Sequence, residues 1–212
     1  MNFFGHAALA ARRSTEPAFV LGAMVPDFAT MLHARVPETS HERLAAGIAL
    51  HHRTDAAFHD GAIFRRLSGE AFRALEERGL RRGSSRAVAH IGLEILLDGE
   101  LARDAARHPP YLAALEAGAG GLGAHLAWAD PDAPARFVEL CAGLARRGAG
   151  PDGFSADALA RRLEYALARR PLLALDEPHA RAVVVAWADR FAERVRHVAP
   201  AWLADVEAGL GG

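Results

Sequence analysis

Two stretches of the chain repeat metal-competent side chains every fourth residue: His51, Asp55 and His59 in LHHRTDAAFHD, and His90, Glu94 and Asp98 in HIGLEILLDGE. Four residues are close to one helical turn, so each trio lies along a single stripe of a helix. The second trio is set among Val88, Ile91, Leu93, Ile95, Leu96 and Leu97, so part of its stripe is flanked by core. Unpaired buried carboxylates are costly, and a cation shared by two facing stripes is an economical remedy. The alternative reading is that Glu94 or Asp98 pairs with an arginine such as Arg86 or Arg103.

Composition agrees with helices. The chain is 51% hydrophobic and 24% charged, and Ala, Leu and Arg outweigh the β-branched and aromatic residues that populate strands. At 212 residues one domain, spanning 1–212, is expected, with enough apolar surface to fold without disulfides. The formal net charge is −1 and every cationic residue is arginine. Such a balance gives no general attraction to a nucleic-acid backbone or an anionic membrane. Six Arg pairs, from Arg12–Arg13 to Arg169–Arg170, could grip phosphate, although a solvated helix surface explains most of them.

The lone Cys141 can form no intramolecular disulfide, and no Cys pair exists to hold zinc, so any metal must use His and carboxylates. A cytoplasmic location is the expectation. The start of the chain has no cationic stretch ahead of an apolar one, and runs such as AFVLGAMV are too short to cross a bilayer, so neither signal peptide nor membrane span is expected.

The pattern predicts a short helix over 2–11, then an apolar segment in which Pro26 disfavours helical geometry at Val25 and places Asp27 at a bend or helix start. VPETSHE leads to a cap and a long helix through His51 and His59, which Gly61 breaks or kinks. Further helices are expected over 69–78, closed by Gly79, and from a Ser84 or Ser85 cap over 86–107, stopped by His108-Pro109-Pro110. The Gly- and Pro-rich stretch LEAGAGGLGAHLAWADPDAP reads as an internal loop or broken helix. Helices near 133–147, 156–169 and 177–197 and a short one near 201–210 complete the chain. The metal-site helices thus fall mainly within 1–107.

The chain contains no GxSxG, P-loop, GxGxxG or HExxH, and Cys141 has no local base, so nucleophilic serine or cysteine chemistry is not indicated. His6 and Asp27 carry little weight alone. They gain it from a resemblance. MNFFGHAALA, GAMVPDF, AAGIALHHRTD and EILLD resemble, in order, the motifs of the acyl carrier protein phosphodiesterase family, a divergent branch of the HD-type metal-dependent phosphohydrolases.

The resemblance implies an all-α, HD-like helical bundle with His6, Asp27, His51, Asp55 and Asp98 at the metal and catalytic centre and Glu94 in place of an Asp. It also implies a divalent cation, Mn²⁺ or Mg²⁺ with Fe or Zn as alternatives, and hydrolysis of the diester joining 4′-phosphopantetheine to a carrier-protein serine. Two departures stand out: Gly99 where the family tends to have His, and His59 where an acid is usual. The reading of the residues adds His59 and His90 to the ligand candidates, with Asp27, Asp55 and Asp98 as catalytic carboxylates and Glu94 able to orient a ligating imidazole. The partner is an acyl carrier protein or a smaller phosphorylated metabolite. The competing readings are a non-catalytic helical binding domain, whose polar stripes pair internally with arginine, and a phospholipase C-like zinc enzyme.

Overall fold

The computed structural model describes residues 1–210, and these form an all-α fold. Nine α-helices follow one another among the described residues: α1 Phe3–Ala11, α2 Pro17–Met31, α3 Glu42–Asp60, α4 Ala62–Glu76, α5 Arg82–Leu101, α6 His108–Gly120, α7 Ala133–Arg147, α8 Ala156–Leu167 and α9 Ala180–Ala208. The only extended pairing among them is an isolated antiparallel bridge between Glu38 and Ala127. No described helix is long and apolar enough to cross a membrane.

The helices gather into two compact units, each drawn from separate stretches of the chain. One comprises Asn2–Asp55 and Leu101–Gly150. Its core is aromatic: Phe3 lies 5.6 Å from Phe28, Phe4 stands edge-on to Tyr111 at 5.0 Å, and Phe28 meets Phe137 at 6.1 Å. The other comprises Met1, Ala56–Glu100 and Pro151–Gly212, within which Phe58 stacks on Trp202 at 4.9 Å and Trp187 packs on Phe191 at 5.1 Å.

Several boundaries differ from the sequence expectation. α2 runs straight through Pro26, so Asp27 sits inside a helix and not at a bend. A proline within a helix costs about 3 kcal/mol. Met24, Val25 and Phe28 are fully buried around it, and each buried large apolar side chain recovers about 1.5–3 kcal/mol, so packing wins. By the same balance α9 continues through Pro200, because Trp202, Leu203 and Val206 extend its apolar stripe; the two helices expected there are one.

Gly61 does break the chain, but α4 restarts at once at Ala62 and not at Gly69. Gly79 ends it as expected. At φ 84° it lets the Leu80 N–H reach back to the Leu75 carbonyl. α5 starts at Arg82, so Ser84 and Ser85 are not caps; their hydroxyls donate to the carbonyls of Ala174 and Leu80. α5 ends at Leu101, and His108-Pro109-Pro110 opens α6, since a proline in the first turn forfeits no helical hydrogen bond. The cap of α3 is the His41 ring, whose Nδ1 accepts the Leu44 N–H.

Candidate metal centre

The geometry of the first site begins with two glycines. A Cβ on Gly22 of α2 would stand 2.3 Å from the Leu44 carbonyl oxygen, and one on Gly47 of α3 would stand 2.2 Å from that of Phe19. The two helices therefore cross backbone to backbone, which only glycine permits. His51 lies one turn beyond Gly47, and the crossing brings its Nδ1 within 2.9 Å of the Ala23 carbonyl. Pro26, lacking an N–H, leaves the Gly22 carbonyl without its helical donor.

A carbonyl can only accept, so His51 Nδ1 carries the proton and Nε2 keeps its lone pair. Burial depresses the His51 pKa from 6.5 to about 4, against the opposing pull of the Ala23 carbonyl and Asp55, and the ring is neutral near pH 7. His6 is fixed in a matching way. Its Nδ1 is 2.9 Å from Thr54 Oγ1, whose hydroxyl proton is directed to the carbonyls of Leu50 and His51. Thr54 therefore accepts from His6 Nδ1–H, so Nε2, 3.9 Å from Asp55 Oδ1, is the His6 nitrogen that would face a cation.

The rings of His6 and His51 lie 3.9 Å apart at 30°, and their ligand atoms and an Asp27 carboxylate oxygen all lie within 4.8 Å of one another. Asp55 adds a second carboxylate, its Oδ1 3.9 Å from His6 Nε2 and its side chain 40% exposed. α1, α2 and α3 thus contribute two imidazole nitrogens and one or two carboxylates, a donor set that suits a divalent first-row cation.

The first stripe contributes to two groups of possible ligands. His59 is two turns from His51 along α3, roughly 12 Å. It joins His90 and Glu94 in a second group, whose ligand atoms also lie within 4.8 Å of one another. The first trio is therefore divided, because side chains two turns apart on one helix cannot reach the same ion. Glu94 pairs with these two histidines and with the Met1 amine, and not with Arg86, whose guanidinium lies over Phe72. Burial pushes the Glu94 carboxyl up, but the Met1 ammonium and the two imidazoles outweigh that and hold it below the usual range.

Asp98 is fully buried on α5 and belongs to neither group. Gly99 has a local cause: a Cβ there would stand 2.8 Å from Phe154 Cβ, so no larger side chain fits. The neighbouring His52 and Asp60 are exposed, and burial pushes the Cys141 thiol up to about 12, far from a nucleophile's range. Members of the Arg pairs lie beside carboxylates, Arg81 with Asp176 and Glu177, Arg161 with Asp157. Thr54 and the Ala23 carbonyl are the functional groups the sequence reading misses. A Thr three residues after His51, on the same helix face, is a signal for the first; nothing in the sequence marks the second.

No family model, curated protein or solved structure matches the chain.

Proposed function

We propose that the protein is a metal-dependent phosphodiester hydrolase whose centre is His6, Asp27 and His51, with Asp55 at its edge. The observation that carries this reading is that three helices converge on one point with the tautomers of both histidines set by their outer hydrogen bonds. Outer-shell bonds of this kind fix the tautomer and orientation that a ligating imidazole needs. The motifs resembling acyl carrier protein phosphodiesterases supply the substrate class, a diester between 4′-phosphopantetheine and a carrier-protein serine.

A divalent cation held by His6, Asp27 and His51 would acidify water and offset charge developing on the phosphoryl oxygens. Asp55, part exposed and outside the tightest group, would accept the proton of an attacking water. His51, neutral at pH 7, offers a lone pair without first losing a proton. Thr54 orients and does not react.

The test is metal analysis of the purified, Mn²⁺-soaked protein beside two assays: loss of the phosphopantetheine mass from a carrier protein, and hydrolysis of a generic aryl phosphodiester. Wild type should hold the ion and cleave the carrier, and Asp27→Asn and His51→Ala should lose both properties. Cleavage of the small diester alone would shift the substrate to a phosphorylated metabolite. A wild-type protein that takes up no metal at this centre sinks the hydrolase reading.

A further inference from the structure

The second cluster is more than a salt bridge. His90 Nε2 lies 3.2 Å and His59 Nε2 3.5 Å from the same oxygen, Glu94 Oε1. The two rings are stacked, 4.6 Å apart and 13° from parallel, although they come from the last turn of α3 and the middle of α5. Phe64, buried beside them, holds both from one side, edge-on to His59 at 4.7 Å and to His90 at 5.2 Å. Their donor nitrogens are thereby aimed at one point before any ligand arrives.

The donors are two imidazole nitrogens and one carboxylate oxygen, a set found where borderline-soft divalent ions bind with a position left for water. His90 is about half exposed (47%) and His59 about a quarter (27%), so an ion can reach the site and that position is open to solvent. The Met1 nitrogen, 3.5 Å from the same oxygen, is the cation that an incoming ion would displace. We propose that His59, His90 and Glu94 form a second divalent-cation site of Zn²⁺ or Co²⁺ preference, independent of the His6–Asp27–His51 centre. It shares no side chain with that centre and lies in the other unit.

Metal-stripped full-length protein is titrated with Zn²⁺ for stoichiometry and with Co²⁺ for its visible absorption, in wild type, His90→Ala, Glu94→Gln and His51→Ala. Circular dichroism confirms that each is folded, and exposed His90 leaves the core untouched. The expected result is two equivalents in wild type and one in each variant. A single equivalent that His90→Ala and Glu94→Gln abolish and His51→Ala spares would uphold this site while the hydrolase centre failed. Wild-type stoichiometry and an unchanged Co²⁺ spectrum in His90→Ala would overturn it, as would one equivalent lost only in His51→Ala, or no binding at all.

Discussion

His51 shows how one side chain can tie protonation to folding. Its pKa is about 4 in the folded chain because burial penalises the charged ring, against 6.5 when it is free. The folded value is the lower one, so the unfolded chain binds the proton more readily between these pH values, and protonation favours unfolding. Stability is therefore complete above about pH 6.5 and is lost as pH falls toward 4, by roughly 3 kcal/mol in all. Denaturant unfolding of metal-free protein across this range should show that decline, and His51→Phe should remove this part of it. A decline of the same size in His51→Phe would assign it to other groups. Thr54 makes a second prediction at this scale. Thr54→Val keeps the shape but leaves His6 Nδ1–H without its acceptor, which costs about 1–3 kcal/mol when buried. Mn²⁺ affinity should fall about 10- to 100-fold, as for other outer-shell losses, and Thr54→Ser should recover it.

Between elements, the Gly22–Gly47 crossing decides whether His51 reaches Ala23 at all. Gly47→Ala must push the Phe19 backbone aside, and overpacking of this kind costs about 1–3 kcal/mol, partly offset by alanine's better helix propensity of about 1 kcal/mol. Its stability should fall modestly while metal binding falls steeply, since the separated helices lose the His51–Ala23 bond. Metal titration of Gly47→Ala beside its thermal melt checks this, and unaltered affinity would show that the crossing does not position the site. Gly92→Leu tests packing alone: a Cβ there already meets Trp187 at 2.7 Å, so this variant should lose several degrees in Tm without touching the first metal group. The same contacts explain what could be read in advance. Helix stripes, the Gly79 stop and the 133–147 helix follow from local spacing and turn chemistry, and so were legible. The passage of α2 through Pro26 and of α9 through Pro200 depends on burial contributed by other helices, which local rules do not see. His6, Asp27 and His51 could be nominated, but the bond that fixes the His51 ring comes from the Ala23 carbonyl, and no sequence pattern marks a carbonyl.

Within the unit built from Asn2–Asp55 and Leu101–Gly150, an ion at His6, Asp27 and His51 would bind three helices that are well separated in sequence. The unfolded chain offers no such preformed set, so binding free energy becomes folding free energy. At a metal concentration 100 times Kd the gain is about 2.7 kcal/mol. For a chain of this size each kcal/mol moves Tm by roughly 2–4 °C, so saturating Mn²⁺ should raise Tm by roughly 5–10 °C, and a chelator should reverse it. Asp27→Asn removes a charged ligand with little change in volume, so it should abolish the rise while leaving the metal-free Tm close to wild type. The dependence of Tm on the logarithm of Mn²⁺ concentration distinguishes site binding from a general salt effect, because Mg²⁺ at equal ionic strength reproduces only the latter if the imidazoles are ligands. Equal shifts with Mg²⁺, Mn²⁺ and in Asp27→Asn would mean that no ion is gripped at the convergence of α1, α2 and α3.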